Sequence, residues 1–259
     1  MSKWVQLLLL LSLLPIVSVQ CVNTTSKEDQ TLAHSHFTLG VKLLTQNKKE
    51  QALEQLLLAK ELDPDNSLIL NHLGLAYYLM KEFEHSIIEL KSALNKKPDY
   101  SEAHNNLGRV YIDVKDFKRA QYHLNKAALD LTYAKKDKVW LNLGLSFFFQ
   151  NKYKKSESYF LKSISMNRNN CLAYNYFGRS QVEQENFKKA AKALDQAIYH
   201  CRQRGFDEPH YYSAISFFRL GYKSKAIARL QESQKKFPNG PNRKKIDEMI
   251  NLMKITDTK

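Results

Sequence analysis

The chain has 259 residues, with 40 Lys and Arg against 26 Asp and Glu for a formal charge of +14, yet only 8 Gly, 6 Pro and 3 Cys. So few Gly and Pro argue against a turn-rich β-sandwich, a collagen-like chain or low complexity, while 43% hydrophobic and 11% aromatic residues are too apolar for disorder. Three cysteines without CxxC spacing argue against a disulfide scaffold, a zinc ribbon and thioredoxin-like redox chemistry.

Residues 1–20 read as a signal peptide. Met1-Ser2-Lys3 forms a short positive region, followed by an apolar run over 4–19 that contains Pro15 and is too short for a membrane-spanning helix. Val17-Ser18-Val19-Gln20-Cys21 resembles a bacterial lipobox, although Gln20 stands where a small residue is usual. That resemblance implies that Cys21 receives diacylglycerol and an N-acyl group and becomes the first mature residue. An uncleaved anchor and a secreted soluble form are the alternatives. Acyl chains of this kind anchor a protein stably, each buried methylene contributing about 0.8 kcal/mol. Val22 rather than Asp after the cysteine favours the outer membrane by the usual sorting rule, and 21–32 is expected to be a lipidated tether.

Beyond it the glycines recur. Gly40, Gly74, Gly108, Gly144 and Gly178 stand 34 residues apart, except for one step of 36. Twelve residues after each comes a small residue (Ala52, Ser86, Ala120, Ser156, Ala190), sixteen after a large apolar one (Leu56, Leu90, Leu124, Phe160, Leu194), and nineteen after another small one (Ala59, Ala93, Ala127, Ser163, Ala197). A sixth unit keeps the frame with Ala214, Ala226, Leu230 and Ser233. Each unit reads as two amphipathic helices of period 3.6 joined by a short polar turn, with small residues where two backbones approach. The unit resembles the tetratricopeptide repeat. This implies an all-α, right-handed superhelical solenoid of six repeats at 33–66, 67–100, 101–134, 137–170, 171–204 and 207–240, with insertions near 131–136 and 203–209. Residues 241–259 supply a capping helix and tail, with Ile246, Met249, Ile250 and Met253 on one face.

No catalytic constellation accompanies the repeats. There is no GxxxxGK, no GxSxG and no histidine pair at zinc-motif spacing, and His34 and His36 point to different helix faces, so neither an enzyme, a metal site nor a cofactor other than lipid on Cys21 is expected. Lysines crowd the turns inside successive units, as at Lys48-Lys49, Lys81, Lys115, Lys118, Lys152, Lys154-Lys155, Lys188-Lys189, Lys223 and Lys225. They predict a basic edge that is either a solvated rim or attractive to anionic headgroups or an acidic partner. Nucleic acid fits the charge but not the export signal. Cys171 opens the fifth repeat and Cys201 is its thirty-first residue, which makes them neighbours across an antiparallel helix pair. They form a disulfide in an oxidising compartment or remain two buried thiols.

Packing consumes repeat positions 4, 7, 8, 11, 20, 24 and 27 and leaves 2, 5, 9, 12 and 13 of the first helix to line a concave face. Position 12 supplies Leu44, Tyr78, Ile112, Phe148, Val182 and Phe218, position 5 supplies Phe37, Asn71, Asn105, Leu141, Asn175 and Tyr211, and position 9 includes Arg109 and Arg179. Amides and guanidinium groups beside apolar rows suit an extended peptide or short helix, the alternative being that part of this row is buried between tightly wound units.

An export signal, a lipobox-like cysteine, six repeats and a cysteine pair in the fifth repeat together resemble the PilF/PilW/Tgl family of type IV pilus pilotins. The resemblance implies a lipid-anchored protein on the periplasmic face of the bacterial outer membrane. It would bind a secretin subunit, carry it to that membrane and promote its multimerisation. The other expectation is a repeat lipoprotein that scaffolds peptidoglycan enzymes or assists outer-membrane protein assembly.

Overall fold

Apolar residues at a 3.6-residue period become thirteen α-helices in a computed structural model, which describes residues 26–202 and 206–255. No strand occurs among the described residues. The helices pair along the chain: α1 (Lys27–Thr45) with α2 (Lys49–Leu62), α3 (Ser67–Leu79) with α4 (Phe83–Lys96), and α5 (Ser101–Asp113) with α6 (Phe117–Leu129). They continue with α7 (Lys136–Phe148) and α8 (Tyr153–Met166), α9 (Cys171–Glu183) and α10 (Phe187–Cys201), and α11 (Glu208–Arg219) and α12 (Lys223–Lys236), after which α13 (Arg243–Ile255) stands alone. The leader over 1–20 and Cys21 lie outside the described residues.

The tether expected to run to residue 32 is helical from Lys27. Ser26 makes a capping box with Asp29: the Asp29 amide donates to Ser26 Oγ at 3.0 Å, and the Ser26 amide donates to Asp29 Oδ2 at 3.2 Å. With two of the orphan amides of a helix start satisfied and Glu28 and Asp29 at the positive end of its dipole, α1 begins well ahead of the repeat frame.

Within each unit the helices meet at the glycine. A Cβ on Gly108 would lie 2.6 Å from Leu124 Cγ and 3.2 Å from the backbone oxygen of Ala120, and Gly74 stands in the same relation to Leu90 and Ser86. Ala52, Ser86, Ala120, Ser156, Ala190 and Ala226 are all fully buried at this crossing, as are the large residues that fill it, from Leu56 to Leu230. Ser86 turns its polarity to use, its hydroxyl donating to the Gly74 carbonyl at 2.7 Å.

The turn between the two helices is also constant in shape. Asn47, Lys81, Lys115, Asn151, Glu185 and Gly221 occupy the left-handed region, with φ between 58° and 80°. In each case the next amide reaches back to a carbonyl of the first helix, as in Glu82 N–H to Tyr77 O at 2.9 Å and Asp116 N–H to Tyr111 O at 2.8 Å. This is the Schellman termination, which satisfies carbonyls at the helix end and reverses the chain within three residues.

Successive units stack chiefly by laying each second helix against the first helix of the next unit, and the first helices also meet one another. α1 touches α3, α3 touches α5, and the series continues to α11, whereas second helices of successive units make no comparable contact with one another. The array therefore curves with its first helices inside and its second helices outside. At its far end α13 lays Ile246, Ile250 and Met253 against Ala226 and Leu230 and closes the core.

Histidines are packed into this core in neutral form. His104 Nε2–H donates to the Pro98 carbonyl at 3.0 Å, which leaves its Nδ1 as acceptor for His123 Nδ1–H at 2.9 Å. Burial holds His104 below the usual imidazole range, and burial together with neighbouring His104 takes His123 down to about 4. Burial likewise takes His210 down to about 4 despite the Glu232 carboxylate nearby.

Two consequences are measurable. Gly108→Ala forces Leu124 off its site against an immovable backbone oxygen and is expected to cost about 1 to 3 kcal/mol in chemical denaturation, while Ala128→Gly on the same unit leaves that crossing intact. Because the three histidines have folded pKa values below the unfolded value near 6.5, their stabilisation is complete above about pH 6.5 and declines as pH falls toward 4, by at most about 1.4 kcal/mol per pH unit for each. Urea midpoints measured from pH 7 to 4.5 should fall, and His123→Phe should flatten the slope.

Candidate interaction surface

The first helices bring their inner faces together, and that proximity decides which candidate residues are accessible. Asn71, Asn105 and Asn175, read as holders of a partner's backbone, are buried and bonded to the next unit. Asn106 Nδ2–H donates to Asn71 Oδ1 at 3.0 Å, Asn142 Nδ2–H donates to Asn105 Oδ1 at 3.0 Å, and Asn175 Nδ2–H donates to Glu208 Oε2 at 2.7 Å. Ile112, Leu141 and Phe148 are also buried, at 2%, 6% and 6% exposure, because positions 5 and 12 face the next first helix rather than open solvent. These six side chains are packed into the joints between units, and of them Asn105 and Leu141 also reach the wall of a groove. The spacing of Asn71 and Asn105 marks their row, but their partners at the following position, Asn106 and Asn142, were not anticipated.

The remaining candidates are partly exposed: Phe37, Leu44, Tyr78, Arg109, Arg179, Tyr211 and Phe218. Phe37 meets His72 edge-on at 5.0 Å, while Tyr211 and Phe218 pack beside the core that α13 closes. Tyr78 and Arg109 lie at the mouth of a groove of about 300 Å³ whose walls include Asn106, Leu141 and Leu172. The Tyr78 hydroxyl donates to Asp113 Oδ2 at 2.6 Å, and the Arg109 guanidinium stands 6.0 Å from the Tyr78 ring centre. Burial, reinforced by the Asp113 carboxylate and opposed by Arg109, pushes the Tyr78 phenol up to about 12, so it stays a hydrogen-bond donor.

Arg179 is mostly enclosed. Its guanidinium lies 4.9 Å from the Phe148 ring centre, 4.9 Å from that of Tyr176 and 4.8 Å from that of Tyr212, and Nη1–H donates to Glu208 Oε1 at 2.9 Å. Glu208 therefore neutralises Arg179 and binds Asn175 at once, joining the fifth unit to the sixth across the insertion near 203–209. Tyr176, Tyr212 and Glu208 occupy positions that the helical periodicity did not single out.

Cys171 and Cys201 are disulfide-bonded, with Cα atoms 5.3 Å apart, joining the start of α9 to the end of α10. Among the described residues no three His, Cys, Asp or Glu converge as a metal-binding group, and no helix is long and apolar enough to cross a membrane.

Residues 137–170, the unit formed by α7 and α8, match the family model of the tetratricopeptide repeat. The fold is a tetratricopeptide-repeat solenoid. Structures of similar shape include one reported in the functional characterization of PilF from Pseudomonas aeruginosa, which is 20% identical with a TM-score of 0.73, over 86% of this chain and 100% of that one. PilW, described as a widely conserved type IV pilus biogenesis factor, is 19% identical with a TM-score of 0.75, over 83% of this chain and 97% of that one. The APC/C hetero-tetramer Cut9–Hcn1 is 14% identical with a TM-score of 0.76, over 88% of this chain but 43% of the other. No curated protein matches the chain in sequence. Solenoids of this type typically serve as protein-interaction scaffolds.

Removing Glu208 tests whether the inner row is structural at the fifth and sixth units. Glu208→Ala leaves a mostly buried guanidinium without its counter-charge and a buried amide without its acceptor, and is expected to cost about 3 kcal/mol of stability. Guanidinium chloride unfolding would measure it, and a loss below 0.5 kcal/mol, typical of an exposed pair, would contradict the role.

Proposed function

We propose that this protein is a pilotin: a lipid-anchored solenoid on the periplasmic face of the outer membrane that binds a type IV pilus secretin subunit and promotes its localisation and multimerisation. The observation that carries this reading is coextension. The chain and the PilF and PilW structures cover one another almost end to end, whereas the chain covers less than half of Cut9–Hcn1 despite an equally good superposition. The leader, the lipobox-like cysteine and the oxidised Cys171–Cys201 pair support an exported location.

The action is binding without chemistry. A solenoid held by internal hydrogen bonds from unit to unit presents a preformed inner surface, so a secretin segment meets side chains already in place and binding orders little of the solenoid. Tyr78 and Arg109 supply a ring and a cation on the groove wall, and Phe37, Leu44, Tyr211 and Phe218 supply apolar contacts toward the two ends. The acyl chains on Cys21 then hold the complex at the membrane where the secretin assembles.

Deleting the gene and probing outer-membrane fractions for secretin tests the reading. Multimers should disappear in favour of monomer, and a copy carrying Tyr78→Ala and Arg109→Ala should restore them only in part. Unchanged multimers with normal twitching would reject the pilotin reading.

A further inference from the structure

The net charge is not spread over the solenoid. The first helices α5, α7, α9 and α11 carry five Lys and Arg against five Asp and Glu, whereas the second helices α6, α8, α10 and α12 carry fourteen against three. The inner layer of the array is neutral from the third unit onward, and the outer layer is strongly basic. The first two units differ, since α2 and α4 balance their lysines with glutamates.

Folding does not explain this placement. α8, α10 and α12 have no acidic residue in the first turn and open instead with cations, Lys154-Lys155, Lys188-Lys189 and Lys223, while α6 opens with Lys118-Arg119 behind a capping Asp116 that pairs with Arg119. The helix dipole makes that end positive and disfavours cations there, while α2 and α4 place Glu50 and Glu84 at the same position. Lys118, Lys154, Lys188, Lys189 and Lys192 are exposed and make no ion pair among the described residues.

Rings are interleaved with these charges. Lys126 rests 5.9 Å from the Tyr122 ring centre, Lys162 lies 5.5 Å from Tyr159 and 4.8 Å from Trp140, Arg202 lies 5.1 Å from Tyr199, and Lys225 lies 5.1 Å from Tyr222. Tyr122, Tyr199 and Tyr222 are each more than half exposed. Amphipathic rings capped by amines match the chemistry of a membrane interface, where the ring meets the headgroup level and the cation meets phosphate. They match single-stranded nucleic acid poorly, because bases need open ring faces on which to stack and these faces carry their own cations.

We propose that the outer layer of the third to sixth units docks on an anionic lipid surface, so that the solenoid lies against the membrane with its inner groove turned away from it. The inference rests on the anchored reading for position. From Cys21 to Lys27 an extended chain reaches only about 20 Å, so the acyl group keeps the solenoid within reach of the bilayer, and the basic layer at its far end supplies the second attachment that fixes its orientation.

The test uses the full chain purified from membranes and incorporated into two kinds of vesicle, one of phosphatidylcholine alone and one containing 30% phosphatidylglycerol. Attachment to the neutral vesicles reports the anchor. Orientation is read from mass-spectrometric labelling of lysine amines, with Lys42 on α1 as internal reference. Labelling of Lys154, Lys155, Lys188, Lys189 and Lys192 should fall at least fivefold on the anionic vesicles relative to the neutral ones and recover in 0.5 M NaCl. The triple variant Lys188→Glu, Lys189→Glu, Lys192→Glu, checked for native helicity, should lose that protection at Lys154 and Lys155. Equal labelling on both vesicles would overturn the proposal, as would equal labelling accompanied by protection on adding polyglutamate, which would assign the layer to an acidic protein. Failure to attach to neutral vesicles, with protection still gained on anionic ones, would refute the anchor and leave the basic layer standing.

Discussion

Everything in this molecule is set by how closely two helices approach inside one unit. Glycine at the eighth position of the first five units, and Ala214 in the sixth, admits a leucine or phenylalanine from the second helix, and small residues four positions before and three after that large one let the backbones close around it. The contact is repeated because nothing else suffices. α2, α4, α8, α10 and α12 have no side-chain hydrogen bond at their N-caps, and three of these, α8, α10 and α12, begin against their own dipole, so local propensity contributes little to them. Their stability comes from burial at the crossing and from the units on either side, as expected of a quasi-one-dimensional array.

That dependence explains which features could be read from the chain. A crossing of two helices demands residue types, small or large, at fixed spacing, and the demand is written identically in Gly108, Ala120, Leu124 and Ala127 and in their counterparts. The turn demands a backbone conformation, and conformation leaves a weaker mark. Gly221, Asn47 and Asn151 are residue types suited to the left-handed region, while Lys81, Lys115 and Glu185 are held there by the helices they join. The start of α1 is a case of the opposite kind, since Ser26 and Asp29 encode a capping box plainly, but one lying upstream of the repeat frame. The inner row was legible as a row and not as a surface. Whether position 12 faces a ligand or the next helix depends on the curvature of the stack, which no single unit specifies. Ile112 and Phe148 were thus visible as apolar, while the sequence left burial between units and exposure to a partner both open.

The fifth unit departs from the others in a way that ties its peculiarities together. Its eleventh position carries Gln181 where the neighbouring units carry Tyr77, Tyr111, Phe147 and Phe217. The amide is fully buried with neither its nitrogen nor its oxygen bonded to another protein group, an arrangement that costs about 1 to 3 kcal/mol. The same unit alone carries a disulfide, closing a span of 30 residues, which stabilises by roughly 3 to 4 kcal/mol on the chain-entropy argument. It also takes Glu208 from the sixth unit onto Arg179 and Asn175. The covalent bridge and the cross-unit carboxylate both act where the repeating apolar core is interrupted.

A repeat built from two unlike helices also separates two tasks. Inner helices must approach one another, so their polar residues are drawn into hydrogen bonds between units and their charges cancel. Outer helices diverge, and nothing in packing constrains what their exposed positions carry. Charge can therefore accumulate on one layer without disturbing the other, and in this chain it does so from the third unit onward. A neutral, hydrogen-bonded inside and a basic, aromatic-studded outside are thus two faces of different chemistry, fixed back to back by the same close helix crossing that folds each unit.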